Sequence, residues 1–501
     1  MPKTIGVADD WIKSKRKSRQ WHQFDGALLF SFRNHYNTPR KNVTKGLIMQ
    51  RTKIVPLLSS PTPLDRVLIH GWIRTKRDAK DFSFIEMNDG SCLANIQVIA
   101  DHAMDNYDAI RKLTTGSAAT VIGALIPSQG KGQQWEIQAA EVTIIQIAPE
   151  SFPLQKKRHT DEYLRTIAHL RLRTNKYGAA FRIRSELSYA VHHFFHERGF
   201  RYVHTPILTG SDCEGAGELF RVTTLPPGET DMDQDFFGKE ANLTVSGQLE
   251  AEMAALALGD VYTFGPTFRA ENSNTRRHAA EFWMIEPEMA FCDLAGCMAF
   301  AEEMIQHLIS HIITFCTQDL SLFATFVDKT LMPTLENIAQ STFEYLTYGE
   351  SIKLLESAAH PFEYEFGYGQ DLQSEHERYI TEVVFKKPVI IYNYPKTIKP
   401  FYMRLNDDEK TVAAMDVLVP GIGEIIGGSQ REERGDVLAA RMEEQQLPKD
   451  DYWWYLQSRE YGSVPHSGFG LGFERLLMLV TGIRNIRDVI LFPRTPRNIE
   501  F

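Results

Sequence analysis

At 501 residues the chain is too long for one ordinary domain, and its 43% apolar and 24% charged residues are the composition of a globular protein with sizeable cores. No apolar run reaches the roughly 18 residues of a membrane span, and no apolar signal core follows Met1, so neither a membrane helix nor a secretory leader is expected. The net charge of −9 argues against a generally basic nucleic-acid binder but leaves room for a local basic surface.

Residues 1–53 stand apart. They hold twelve Lys or Arg against three acidic residues and show no periodic apolar face, which reads as a basic, disordered extension or an RNA-binding arm. Residues 64–148 read as short strands. Val67-Leu68-Ile69 leads through Gly71 and Trp72 to Ile73. Phe82 to Met87 follows, then an Asn88-Asp89-Gly90-Ser91 turn, Leu93 to Ile99, Ala118 to Leu125, and Trp135 to Ile147. Five strands in this span predict a small barrel of the OB type. Residues 149–160, with Pro149 and Pro153, form a linker. From 161 to 501 helices and strands mix, beginning with a helical period over Tyr177 to Arg198 that stops at Gly199. Neither GxGxxG nor GxxxxGK[ST] occurs, so any ATP site belongs to a fold other than Rossmann or P-loop. The five cysteines form no CxxC pair, which favours reduced thiols and a cytoplasmic protein.

Three stretches carry chemistry. In the first, Thr267-Phe268-Arg269-Ala270-Glu271 is followed by Arg276-Arg277-His278, Phe282 and Glu286, with Val261 to Phe268 and Trp283 to Ala290 reading as paired strands. An Arg fixed on a strand clamps a carboxylate or phosphate bidentately, and Phe282 offers a face on which a base stacks. A surface hairpin tied by salt bridges gives the same pattern. In the second, Glu424 is an isolated acid in the apolar, Gly-rich run Asp416 to Arg431, which suits a magnesium ligand or a Glu424–Arg431 ion pair. In the third, Gly468, Gly470 and Gly472 alternate before Phe473-Glu474-Arg475 and an apolar helix. Such a strand admits a ligand to its backbone, or is simply tightly packed, and Arg475 is placed to cover adenine.

Together these stretches resemble the motifs of class II aminoacyl-tRNA synthetases, and the order of barrel then catalytic domain resembles the aspartate/asparagine/lysine subgroup. Leu243 to Glu250, Phe264 to Asn274, Gly423 to Arg434 and Tyr461 to His466 look like asparaginyl-tRNA synthetases in particular. The resemblance covers residues 64–501. It implies an α+β fold, an OB-type barrel followed by an antiparallel sheet flanked by helices, that binds ATP and Mg²⁺. Arg269, Glu271, Arg277, His278, Phe282, Glu424, Gly472 and Arg475 would hold ATP, with Arg269, Arg475 and Glu424 catalytic, Glu424 on the metal and Glu286 at the site floor. Glu214, Ser246 and Gln248 would hold the amino acid's α-amino group. Aspartate enzymes of the subgroup hold the side-chain carboxylate with an Arg and a Lys. The Arg resembles Arg431 here, whereas the Lys position, three after Gln248, is Ala251, beside Glu250. Glu250 would therefore accept from an amide and repel a carboxylate. Phe84 would stack on an anticodon base, with Arg77 and Gln97 reading base edges, unless Phe84 packs inside the barrel. Asparagine and tRNA(Asn) are the implied partners, in a homodimer away from membranes. The rivals are an aspartyl enzyme, a non-catalytic RNA-binding relative, and a paralogue making asparagine. Glu375-His376-Glu377 receives no role and reads as a helix-surface cluster.

Overall fold

The computed structural model describes residues 49–501 apart from positions 131, 214–217 and 274. By its contacts the chain divides after Gln50, and the fold below is that of Arg51–Phe501. The expected extension therefore lies, up to residue 48, outside the described residues.

Five strands, β1 (Leu64–Asp78), β2 (Phe82–Asn88), β3 (Ile96–Asp101), β4 (Ala118–Pro127) and β5 (Trp135–Gln146), close into a barrel of order β1-β2-β3-β5-β4. Alternation decides what fills it. Along β2 the buried residues are Ser83, Ile85 and Met87, and they meet Ile69, Ile73, Val98, Val121 and Ile137 inside. Phe82 and Phe84 therefore point outward, so Phe84 is not core.

After two short helices, Asp161–Thr166 and Ala168–Arg171, comes the long helix α1 (Asn175–Glu197). Thr174 caps it by accepting from the Tyr177 amide, and Gly199, at φ +83°, releases the chain from the helix. The strands β6 (Arg201–Tyr202), β7 (Asp260–Phe268), β8 (Glu281–Ala290), β9 (Glu344–Thr347), β10 (Val389–Pro395), β11 (Thr411–Val419), β12 (Gly423–Gln430) and β13 (His466–Gly472) form one sheet of order β9-β10-β11-β12-β13-β8-β7-β6. The six inner strands pair antiparallel, as expected, while the edge strands β6 and β9 run parallel to their neighbours β7 and β10. The sheet is thus mixed, because each edge strand is reached by a long crossover rather than a hairpin.

One face of the sheet is the core. Ile285, Phe469, Leu471, Met415 and Val417 pack there against α1 and a second helix, α2 (Leu294–Phe315). Alternation sends Glu286 and Glu288 of β8, Gly468 and Gly470 of β13, and Asp416 of β11 to the opposite face, where the polar groups gather. All five cysteines are free thiols. Among the described residues no helix is long and apolar enough to cross a membrane.

Candidate active site

The β7–β8 hairpin pairs from Asp260↔Met289 to Phe268↔Glu281, so residues 269–280 form the connecting loop. This loop, β12, β13 and the first turn of the helix Phe473–Thr481 enclose a cavity of about 150 Å³. Its wall includes Arg269, Glu271, Arg277, His278, Phe282, Glu424, Gly472 and Arg475, so the structure brings together all eight residues expected around ATP. The Arg269 guanidinium lies 5.5 Å from the Phe282 ring centre, and Arg475 reaches the Glu424 carbonyl at 3.3 Å and its carboxylate at 3.4 Å. His278 Nδ1 sits 2.6 Å from Thr275 Oγ1 and 3.0 Å from Ser273 Oγ. Burial pushes the His278 imidazole below its ordinary value, and Arg475, Arg269 and Arg277 push the same way against Glu271.

Further carboxylates gather around Glu424, which lines this cavity. A point one bond above Gly427 lies 3.3 Å from Glu424 Oε1 and 3.5 Å from Asp416 Oδ1, so both acids reach the same space. Lys399 Nζ holds Asp416 at 2.8 Å, and Glu377 Oε2 accepts from the Glu424 amide at 3.1 Å. Burial pushes the Glu377 carboxyl up to about 7, with repulsion from Glu424 acting the same way. The Glu424–Arg431 pair left open by the sequence is absent: Glu424 is held by Arg475 and Arg431 by Glu288. Among the described residues no group of three or more His, Cys, Asp or Glu could hold a metal alone. Asp416 was missed, although it breaks the apolar run of β11 just as Glu424 breaks that of β12.

A second polar nest lies along the same face. Glu286 accepts from Ser246 Oγ, from the Gly247 amide at 3.1 Å and from Thr263 Oγ1 at 3.0 Å, which fixes its carboxylate in place. Arg431 grips Glu288 with two nitrogens and donates to Ser429 Oγ at 2.9 Å. A Cβ at Gly468 would collide with that Glu288 carboxylate, so this glycine makes room for a buried acid. Arg431 is also 3.8 Å from Glu252. Glu252 is fully buried and takes Arg459 at 2.6 Å, His466 at 3.1 Å, Tyr455 at 2.7 Å and Gln248 at 3.0 Å. Burial alone would raise its carboxyl, but Arg459, His466 and Arg431 hold it well below the usual range.

Glu250 was expected to accept from an amide held by Arg431, but the acid of the helix Gln248–Leu258 that lies beside Arg431 is Glu252. The helix begins at Gln248, so Glu252, four residues on, shares its face, while Glu250 lies about 200° around from it. Glu250 instead lines a separate cavity with Leu208, Thr209, Met253, Trp453 and Trp454. Ala251 is buried. Glu214 lies outside the described residues. Arg459, His466 and Tyr455 were not singled out by type or spacing, because only the tertiary fold brings them to Glu252.

On the barrel, Arg77 pairs across the strands with Phe84 and stacks over its ring at 4.9 Å, and Phe82 meets Phe84 edge-on. Gln97, on β3 opposite Glu86, donates to Glu136 at 2.9 Å. Arg77, Phe84 and Gln97 thus share the outer surface of adjoining strands.

The comparisons with known proteins agree with this architecture. Residues 67–145 match the OB-fold nucleic acid binding domain, and residues 160–496 match the tRNA synthetases class II (D, K and N), so barrel, sheet and pocket are those of a class II tRNA synthetase. An asparagine–tRNA ligase of Oleidesulfovibrio alaskensis is 64% identical over 461 residues, covering 90% of this chain and 100% of that protein. One from Synechocystis is 58% identical over 462 residues, with the same coverage. The crystal structure of asparaginyl-tRNA synthetase from Pyrococcus horikoshii complexed with asparaginyl-adenylate superposes with a TM-score of 0.80 at 33% identity, over 90% of this chain and 100% of that one. The chain belongs to the asparagine–tRNA ligase family.

Proposed function

We infer that the protein joins asparagine to tRNA(Asn) in two steps, forming asparaginyl-adenylate from asparagine and ATP and then passing the asparaginyl group to the tRNA. The observation that carries this reading is the adjacency, on one sheet face, of a cavity walled by cations and a buried Arg431–Glu252 pair. The first holds a polyphosphate. The second offers a donor and an acceptor to a side-chain amide.

In the first step an asparagine carboxylate oxygen attacks the α-phosphorus of ATP, the bond to the bridging oxygen breaks, and pyrophosphate leaves. No side chain acts as a nucleophile. Arg269 stabilises the charge building on the α-phosphate, Arg277 and His278 meet the outer phosphates, and Phe282 and Arg475 enclose the adenine. Glu271 contacts the adenine side, and Gly472 lets the β13 backbone come close. Ser246 and Gln248 lie toward the α-amino group, as does Glu214 by family resemblance. Glu424 and Asp416 would hold Mg²⁺, which would neutralise phosphate charge. Two carboxylates crowded at one point suit an ion whose other ligands are phosphates and water.

Asparagine is preferred over aspartate because Glu252, held by Arg459, His466, Tyr455 and Gln248, keeps a negative charge beside Arg431 that would accept from the amide NH₂. An aspartate would bring a carboxylate against this buried anion. ATP–pyrophosphate exchange run in parallel with the two amino acids tests the assignment. Exchange is expected with asparagine, with aspartate weaker by about 10⁴-fold, the scale reached by sites built on a hydrogen-bond pattern. A preference for aspartate would make the protein an aspartyl enzyme.

The barrel reads the anticodon, supported by the outward Phe84 ring with its Arg77 partner. Phe84→Ala is expected to weaken charging by about 1–3 kcal/mol, the worth of one stacked base, and to leave exchange unchanged. Equal losses in both assays would mean that the barrel itself had been damaged. The free thiols support a cytoplasmic protein, and its family supports a homodimer, which light scattering of the full chain would measure.

A further inference from the structure

Residues Glu375, His376 and Glu377 do not form the surface cluster that the sequence suggested. His376 is fully buried and Glu377 half-buried, on the short helix Ser374–Arg378. This helix and the wide turn Tyr379–Val384 touch two parts of the nucleotide cavity at once. Ser374 Oγ accepts from Arg277 Nη1 at 2.8 Å, Glu377 Oε2 from the Glu424 amide at 3.1 Å, and Glu382 from the Gly421 amide at 2.9 Å while pairing with Arg378. At Gly423, φ is +84°, and a Cβ there would collide with Glu377 Oε2 and stand 3.6 Å from Arg277 Nη1. The glycine therefore permits a left-handed turn and leaves room for the Glu377 carboxylate on the side of the Arg277 guanidinium.

We propose that Glu377 is a positioning residue for the nucleotide pocket, fixing Arg277 and the strand entry at Glu424 in the places from which both serve the phosphates. The proposal rests on the reading of this cavity as the ATP pocket. Folding alone does not call for a carboxylate here. The Glu424 amide lies at a half-exposed position where water could serve it, and a third acid beside Glu424 and Asp416 adds repulsion. An arrangement that opposes local stability is expected where it serves a site. Glu377 binds the β12 entry through the Glu424 amide, Ser374 on the same helix binds the hairpin loop through Arg277, and the Glu377 charge acts on Arg277 from nearby, so the helix couples elements far apart in the chain.

The test compares Glu377→Ala and Glu377→Gln in the full chain, by KM for ATP and for asparagine in exchange, ATP binding by calorimetry, and Tm. Alanine is expected to raise the KM and Kd for ATP about tenfold, the effect of losing a charge-assisted hydrogen bond, with KM for asparagine and Tm unchanged. Glutamine keeps an acceptor for the Glu424 amide but loses the charge facing Arg277, so it should fall between. Parent-like ATP binding in both variants would overturn the proposal, as would KM for both substrates and Tm moving together. Arg269→Ala serves as the control: if it too leaves ATP binding unchanged, the pocket reading fails, and if it alone weakens binding, only the role of Glu377 falls.

Discussion

Arg269→Ala is expected to lower ATP–pyrophosphate exchange by about 10³-fold or more while leaving the fold intact. Removing one donor aimed at developing charge costs about 10²–10³ in rate, and Arg269 is proposed to face both the α-phosphate and the attacking carboxylate. The protein should still fold because Arg269 is half-buried at the cavity wall, stacked on Phe282, and belongs to none of the apolar cores. Arg269→Lys makes the test sharper. It restores the charge without the planar fork, so it should recover only part of the activity if bidentate contact matters. Exchange within about tenfold of the parent at matched Tm would move the phosphate role to another cation of the cavity, with Arg475 next in line.

The nucleotide pocket was legible in the sequence because its parts are local. A strand, a loop carrying Arg277 and His278, and a return strand carrying Phe282 can be read from alternation alone, and the Gly468-to-Arg475 stretch likewise encodes its strand and helix start. The glycines had a reason that the sequence could not supply: Gly468 accommodates Glu288, an acid 180 positions earlier. The barrel was legible from its turn and strand patterns, though β3 begins at Ile96 rather than Leu93. Asp416 carried the same anomaly as Glu424, a lone acid in an apolar strand. Glu377 had no such signal, because it meets the Glu424 amide only across the fold. Glu250 was mistaken for Glu252 by counting along the chain rather than around the helix. Gln248 and Glu252 stand four apart on one face, and their 3.0 Å contact is the spacing that a helical reading provides.

That distinction sets the other large effect. Glu252→Gln is expected to disrupt asparagine activation and lower stability together, whereas Glu250→Gln should change neither amino-acid preference nor Tm appreciably. Glu252 stands among Arg459, Arg431, His466 and Tyr455, all of them buried. Glutamine retains a carbonyl oxygen but not the charge, so Arg459 is left buried without its carboxylate partner. Breaking a buried pair from one side costs about 3–5 kcal/mol. Arg431 keeps Glu288 and should hold its position. The amide of asparagine would then meet a neutral group where an anion stood, and an aspartate would no longer meet a repulsive one, so the ratio of asparagine to aspartate exchange should fall by about tenfold or more even after correction for the folded fraction. Thermal melts and exchange with each amino acid, on the parent and both variants, provide the measurement. If Glu250→Gln erodes the preference and Glu252→Gln leaves it intact, the specificity lies on the other face of the helix, at the cavity lined by Trp453 and Trp454, and the buried Glu252 network serves the fold alone.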